Sequence, residues 1–333
     1  MRLLILGGTA FVGRAVASRA AAEGHEVVCA ARGMSGPVPD GAELVRVDRD
    51  APDGLAPLAG RRFDAAVDVS SRPSQVRRAV AKLTGRVSHW CYVSTVSVYS
   101  DAATPGQRAG TAPVLPCAPG DMDDPDADGE AYGRCKAACE RAVLDSGAPA
   151  FVCRAGLIVG PEDGSDRFTY WPVRLARGGQ VLAPGRPDDA VQLVDVRDLA
   201  AWLVAAARDG LTGVFDGIAP PTTRLDLLTR VSAGVGRPEP ELTWVDQDFL
   251  TERGVRPWAG ERSLPLWLPL PGYAGFMARD VSASVGAGLA ARDLRDTARD
   301  TLDWYRSAGE PALRCGLSGP DEAGLLATWH ARS

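Results

Sequence analysis

Short apolar runs alternate with helix-like repeats of apolar residues over the first half of the chain. Leu3 to Leu6 form an unbroken apolar run, which is typical of a strand buried on both faces of a parallel sheet. After Gly7 and Gly8, apolar residues recur at helical spacing until Gly24, where a second strand begins. This alternation predicts an α/β fold with a doubly wound parallel sheet. Four further strand-like runs lie at residues 43–48, 65–70, 89–95 and 150–155.

The pattern becomes irregular beyond residue 160. Prolines and aromatic residues are frequent between 254 and 275, as in loops that line a cavity. A strand-like run and a helix-like repeat at 190–218 are predicted to return to the first domain. We therefore predict a first domain of residues 1–160, to which residues 190–218 return. A smaller, irregular C-terminal domain is predicted from residues 161–189 and 219–310, followed by a tail of residues 311–333.

One long connection, residues 101–130, has no clear period. It is rich in Pro, Gly, Ala and Asp and carries an acidic run from Asp121 to Asp128. A connection of this length in a compact domain is usually either a lid over a site or a disordered segment.

Composition narrows the class of protein. The 333 residues suffice for one large or two joined domains, and 45% apolar with 24% charged residues is ordinary for a soluble protein. A net charge of −5 gives no reason to expect nucleic acid or an anionic membrane as a partner. The seven cysteines are scattered, so we predict buried thiols in a cytoplasmic protein, with no metal. The expected partner is a small-molecule substrate, and the chain is expected to be a monomer or a homodimer.

The first strand, its glycine turn and the following helix form a candidate phosphate site. Backbone N–H groups at a helix N-terminus face an anion, and absent side chains let a pyrophosphate come close. Ala10 stands where the usual fingerprint has its middle glycine, and a turn without a ligand is the alternative. The strand–helix–strand spacing favours a dinucleotide-binding domain of the Rossmann type. The predicted contacts in this turn are Gly7, Gly8, Thr9, Phe11, Val12 and Gly13.

Residues after later strands extend the predicted cofactor site. Arg32 follows the second strand, where an acidic residue would hold the ribose hydroxyl of NAD, and its donors suit the 2′-phosphate of NADP(H). NADP(H) is therefore favoured and NAD(H) stays possible, since Arg32 could also be an exposed loop residue. Asp48 could touch the adenine or cap a turn. Ser70 and Ser94 lie near strand ends, where ligands collect in parallel sheets.

Three side chains are candidates for chemistry. Tyr132 and Lys136 are spaced i and i+4, which places a phenol and an ammonium on one helix face. A nearby cation favours the tyrosinate form that proton transfer requires. Thr95 ends the fifth strand, where a hydroxyl can bind a substrate carbonyl. Taken singly, the helix pair could be an exposed face and Thr95 a cap.

The order of these motifs resembles the short-chain dehydrogenase/reductase superfamily. The resemblance is to its extended and atypical branch, the NAD-dependent epimerase/dehydratase-like proteins, with a G-G-x-x-x-x-G turn and an intact triad. It implies that Thr95, Tyr132 and Lys136 are catalytic and that Lys136 also binds the nicotinamide ribose. It further implies that the three turn glycines lie at the pyrophosphate.

The chain departs from this family's pattern at two places. Val96 and Ser97 stand where nucleotide-sugar dehydratases carry acids, and Leu157 stands where many extended enzymes carry a nucleotide-sugar-binding asparagine. Aromatic residues suggest instead a pocket for a bulky, fairly apolar small molecule, although several could belong to the core. The candidate pocket residues are Phe168, Tyr170, Trp171 and Trp258.

The predicted function is hydride transfer between a nicotinamide and a carbonyl or secondary alcohol. A sugar epimerase that holds NAD tightly is the alternative on the same fold. A non-catalytic dinucleotide sensor is the alternative from another class, and the intact triad argues against it.

Overall fold

The computed structural model describes residues 1–120 and 122–332, so Asp121 of the predicted acidic run lies outside the described residues. The strands are β1 (Arg2–Leu6), β2 (Glu26–Ala31), β3 (Ala42–Arg46), β4 (Ala65–Asp68), β5 (Trp90–Thr95), β6 (Ala150–Ala155), β7 (Ile158–Val159), β8 (Gln180–Pro184), β9 (Ala190–Val191), β10 (Val194–Asp195), β11 (Gly213–Gly217), β12 (Thr222–Thr223), β13 (Glu241–Val245), β14 (Arg256–Pro257) and β15 (Ser263–Leu264). The helices are α1 (Phe11–Ala22), α2 (Pro73–Leu83), α3 (Ala131–Leu144), α4 (Tyr170–Ala176), α5 (Val196–Asp209), α6 (Arg224–Gly234), α7 (Gln247–Glu252), α8 (Ser282–Gly286), α9 (Leu294–Ser307) and α10 (Gly319–His330).

Seven parallel strands form the central sheet, in the order β11-β6-β5-β4-β1-β2-β3. The predicted doubly wound parallel sheet is confirmed. Because β1 lies between β2 and β4, the strand order reverses there, and ligands of such sheets bind outside the strand ends at that place.

The apolar run of β1 is explained by cores on both faces of the sheet. Leu3 and Ile5 belong to the core under α1 and α5, whereas Leu4 and Leu6 belong to the core that contains Val76 of α2 and Val143 of α3. Successive side chains of a strand point to opposite faces, so an unbroken apolar sequence is needed where both faces are covered.

The C-terminal part has a core of its own. Its buried side chains include Trp171 of α4, Leu228 of α6 and Phe249 of α7. The structure differs from the predicted tail, since Leu325 and Leu326 of α10 pack into this core. The carboxylate of Glu322 also pairs with buried Arg174 and accepts the backbone N–H of Leu182 at 2.9 Å. The last helix therefore completes the C-terminal domain.

The long connection packs against the C-terminal part over its first half. The carbonyl of Ala102 accepts the N–H of Gly275 at 2.9 Å, and the N–H of Gly106 donates to Ala278 at 2.7 Å. That the connection closes over a ligand stays a prediction. A bilayer-spanning helix, which needs both length and sustained apolarity, does not occur in residues 1–120 or 122–332.

Candidate functional site

Each of the three glycines in the turn after β1 stands where a side chain would be strained or would clash. Gly7 has φ +102°, a conformation that L side chains rarely adopt. A Cβ on Gly8 would lie 2.5 Å from Cys29 Sγ, and one on Gly13 would overlap the carbonyl oxygen of Gly7. The first turn of α1 can lie this close to the end of β1 because residue 13 is glycine, and Gly8 leaves room for Cys29 of β2.

The N-terminus of α1 faces this turn without a side-chain cap. Its N-cap is Ala10, which offers no hydrogen-bonding side chain, and the first helical turn carries no acidic residue. The first N–H groups of a helix have no partner within the helix, and together with the helix dipole they attract anions. A cradle of bare backbone therefore lies where the sequence predicts a pyrophosphate.

A groove of about 220 Å³ runs from the turn across the ends of β2, β3 and β4. Thr9 is buried in it, while Arg32 and Asp48 are exposed along it. The hydroxyl of Ser70 donates to Gln75 Oε1 at 2.8 Å. The structure thus brings together along one groove five of the predicted cofactor residues: Gly7, Thr9, Arg32, Asp48 and Ser70.

A second cavity of about 370 Å³ lies on the other side of the turn. Phe11 of α1, Thr95 at the end of β5 and Tyr132 of α3 all line it. Tyr132 is 40% exposed, whereas Thr95 is 7% exposed. Two of the three predicted catalytic residues therefore border one cavity beside the glycine turn, although 37 positions (132 − 95) separate them in the sequence.

Thr95 also has the structural role that the sequence left open. Its Oγ1 accepts the backbone N–H of Ser97 at 3.1 Å and donates to Ser97 Oγ at 3.3 Å. It thereby caps the short 3₁₀ turn Val96–Val98 that follows β5. Ser97 lines the cavity too, so a pair of hydroxyls borders it at this end.

Lys136 is buried one helical turn after Tyr132. Its ammonium donates to the carbonyls of Val93 at 2.7 Å, Ser70 at 3.0 Å and Val69 at 3.4 Å. It also lies 5.0 Å from the centre of the Tyr92 ring. An ammonium has three protons, so these carbonyls use all of its donors. Lys136 consequently fixes α3 to the ends of β4 and β5.

The hydroxyl of Ser94, a predicted cofactor contact, is engaged inside the protein. The hydroxyl of Ser94 donates to Glu140 Oε1 at 2.5 Å, and Glu140 also binds the guanidinium of Arg154 at 3.0 and 2.8 Å. Ser94 therefore belongs to a buried network behind the strand end. The side chain of Val12 packs on the core under α1 and α5, so its predicted contact with the cofactor rests on its backbone N–H in the first turn of α1.

Three of the four aromatic residues predicted to line the pocket do not line this cavity. Phe168, Tyr170 and Trp171 are buried in the C-terminal core, where Trp171 Nε1 donates to the carbonyl of Pro265 at 3.1 Å. Trp258 does line the cavity. Asp163, Arg167 and Phe276 line it as well, and they could not be predicted because no sequence motif marks them.

The missed residues bring charge into the cavity wall. Burial raises the pKa of the Asp163 carboxyl, which accepts the N–H and the hydroxyl of Ser165, both at 2.9 Å. Burial lowers the pKa of the Arg167 guanidinium, although Asp163 acts in the opposite direction. The described residues contain no group of three His, Cys, Asp or Glu side chains placed to hold a metal ion.

Comparison with known proteins identifies the family. The sequence model of the NAD dependent epimerase/dehydratase family matches residues 3–215, more than half of the 333 residues. The chain belongs to this family. The resemblance to the extended short-chain dehydrogenase/reductase branch is therefore confirmed.

Individual relatives of this family member are distant. "Epimerase family protein SDR39U1" of Bos taurus is 28% identical over 298 residues, covering 82% of this chain and 95% of that protein. "2'-dehydrokanamycin reductase" of Streptomyces kanamyceticus is 27% identical over 257 residues, covering 72% of this chain and 68% of that protein. The Bordetella bronchiseptica enzyme WbmH, solved in complex with NAD+, superposes with a TM-score of 0.65 at 17% identity. The superposition covers 92% of this chain and 99% of WbmH. This last likeness shows the fold.

The approach of α3 to the cavity generates a prediction. A Cβ on Gly133 would overlap the carbonyl oxygen of Ser97 and lie 2.8 Å from Leu115 Cδ1. We expect Gly133→Ala to lower the free energy of unfolding by about 1–3 kcal/mol, since α3 must move away from the 3₁₀ turn. Denaturant unfolding measures this loss.

The matched control is Gly286→Ala in α8, where an added Cβ meets nothing within 4 Å. That variant should be neutral or slightly more stable, because alanine favours a helix over glycine. Equal stability of the two variants would show that Gly133 does not set the contact.

Proposed function

We propose that the chain is an NAD(P)-dependent oxidoreductase that acts on a carbonyl or secondary alcohol of a small molecule. The observation that carries the proposal is the cavity bordered by Thr95, Tyr132 and Phe11. It joins a strand-end hydroxyl and a half-exposed phenol to the glycine turn. A hydroxyl and a phenol beside one substrate oxygen can position it and exchange its proton.

The two cavities together fit a dinucleotide. The groove with Arg32 and Asp48 would take the adenosine half, and the bare N-terminus of α1 would take the pyrophosphate. The cavity with Thr95 and Tyr132 would take the nicotinamide end beside the substrate. When bound, the nicotinamide donates or accepts the hydride.

Each candidate catalytic residue receives one role. Tyr132 exchanges the proton with the substrate oxygen, and Thr95 positions that oxygen with help from Ser97. Lys136 supplies a fixed positive charge one turn from Tyr132, which favours the tyrosinate form. A contact between Lys136 and the ribose would replace one of its three carbonyl acceptors.

The cavity wall argues for a substrate other than a nucleotide sugar undergoing dehydration. Val96 and Ser97 line it where the dehydratases of the resembling family carry acids. Leu157 lines it as well, in place of the asparagine that binds nucleotide sugars. These three positions therefore supply neither an acid for elimination of water nor a side-chain amide for binding a nucleotide sugar.

An epimerase is the second candidate, favoured by the family match and the SDR39U1 relative. The same residues would then oxidise a substrate and reduce it again on the other face. The two functions differ in their use of cofactor. We expect the purified chain to carry less than stoichiometric nucleotide and to consume one NADPH for each carbonyl reduced, as followed by absorbance. Tightly bound NAD with activity that needs no added cofactor would favour the epimerase instead.

Replacing Tyr132 tests the proton role. We expect Tyr132→Phe to abolish turnover and to leave dinucleotide affinity nearly unchanged, because the phenol contacts the substrate oxygen. Tyr305→Phe, the same change in a separate core, serves as the control. If Tyr132→Phe kept more than a few per cent of activity, the phenol would not be the proton donor.

Replacing Arg32 tests the choice of cofactor. We expect Arg32→Ala to weaken NADPH binding by about 1–3 kcal/mol and NADH binding far less, since a charged hydrogen bond to the 2′-phosphate is lost. Calorimetric titration of both cofactors measures the difference. Arg77→Ala, an exposed arginine on α2 outside the groove, is the control. Equal losses for both cofactors would contradict the preference for NADP(H).

A further inference from the structure

The guanidinium of Arg167 lies in the wall of the cavity that also holds Tyr132. Its Nε donates to Ser165 Oγ at 3.2 Å, and its central carbon lies 4.8 Å from the centre of the Trp258 ring. Within residues 1–120 and 122–332, neither Nη1 nor Nη2 has a hydrogen-bond acceptor. The four protons on these two nitrogens are therefore available to a ligand.

Arg167 differs in this respect from the arginines that are buried in the described chain. Each of those five meets a carboxylate: Arg49 with Asp68, Arg154 with Glu140, Arg174 with Glu322, Arg224 with Asp189, and Arg279 with Asp216. Among the described residues, no carboxylate oxygen lies within 4 Å of the Arg167 nitrogens. Arg167 itself is partly exposed, and a guanidinium that loses part of its water usually gains such a partner.

The nearest acid in the wall does not fill that role. Asp163 is buried, and its two oxygens accept hydrogen bonds from Ser165. Burial raises the pKa of this carboxyl and lowers that of the Arg167 guanidinium, so both groups are short of solvent. Arginine nevertheless stays protonated at neutral pH. The cavity thus holds a partly desolvated cation that has no direct counter-ion among residues 1–120 and 122–332.

We infer that Arg167 binds an anionic group of the substrate, a carboxylate or a phosphate, while the reacting carbon lies beside Thr95 and Tyr132. The assignment of the reacting end rests on the proposed function. The planar fork of a guanidinium suits two oxygens of one anion. Trp258 and Phe276, with ring centres 5.7 Å apart, offer an apolar wall to the rest of the molecule. The substrate class is therefore a small, largely apolar acid.

Binding of simple probes to the full chain with NADP+ tests the inference. The probes are benzoate, phenyl phosphate and the neutral benzyl alcohol, measured by calorimetric titration. We expect at least one anion to bind about 10-fold or more tightly than benzyl alcohol, because a charge-assisted hydrogen bond is added. The preferred anion distinguishes a carboxylate from a phosphate.

Two variants locate the binding group. Arg167→Gln should weaken binding of the preferred anion about 10- to 100-fold and leave the affinity for benzyl alcohol unchanged. The anion affinity of Arg167→Lys should lie between those of Arg167→Gln and the unchanged chain. Arg186→Gln, whose side chain is 74% exposed outside the cavity, should bind as the unchanged chain does. Thermal unfolding of each variant shows whether it is folded, and the comparison of probes on the unchanged chain does not depend on any variant.

Equal binding of the anions and the alcohol to the unchanged chain would overturn the inference. So would unchanged anion affinity in folded Arg167→Gln. A separate assay compares reduction of keto acids with that of their methyl esters. If no carbonyl compound is reduced while Arg167 still governs anion binding, the proposed function fails and the anion site stands. If both acids and esters are reduced equally well, the anion site fails and the oxidoreductase stands.

Discussion

The first turn of α1 lies so close to the carbonyl oxygen of Gly7 that a methyl group at position 13 would overlap it. This contact fixes where the helix begins relative to β1, and β1 lies inside the sheet between β2 and β4. The bare N-terminus of α1 is therefore presented at the place where the strand order reverses. Both cavities open beside it, one with Thr9 and the other with Phe11.

The face of α3 that carries Tyr132 is held by contacts deeper in the protein. Lys136 is fixed by three backbone carbonyls at the ends of β4 and β5, and Glu140 by Ser94 and Arg154. Gly133 lets the same helix approach the 3₁₀ turn after Thr95. The side chain of Tyr132 itself is half exposed at the cavity. On the proposed function, positioning and chemistry are divided between neighbouring turns of one helix.

The central sheet could be predicted from the sequence because its signal is local. A strand covered on both faces reads as an apolar run, and a glycine turn followed by a helical repeat is confined to about twenty residues. Thr95 could be placed at the ligand-binding edge because a parallel sheet brings its strand ends to one edge. That Tyr132 lies at the same site was implied by the family resemblance.

The C-terminal domain could not be predicted in the same way, because contacts between distant segments decide which face of each element is buried. The aromatic residues Phe168, Tyr170 and Trp171 suggest a pocket by composition. In the structure they are buried, at the start of α4 and just before it, in a core shared with α6, α7 and α10. Ser94 and Thr95 are adjacent, yet alternation along β5 sends Ser94 to Glu140 and leaves Thr95 at the cavity. Arg167 carries no motif, and its missing counter-ion is visible in the fold alone.

The central claim is that one dinucleotide spans the glycine turn, with its nicotinamide beside Thr95 and Tyr132. A crystal structure of the chain with NADP(H) tests this most directly. We predict the adenosine in the groove with Arg32, the pyrophosphate at the N-terminus of α1, and the nicotinamide in the cavity with Tyr132. A dinucleotide bound elsewhere, such as in the groove of about 690 Å³ between α1 and α5 that Arg14 and Arg197 line, would contradict the account.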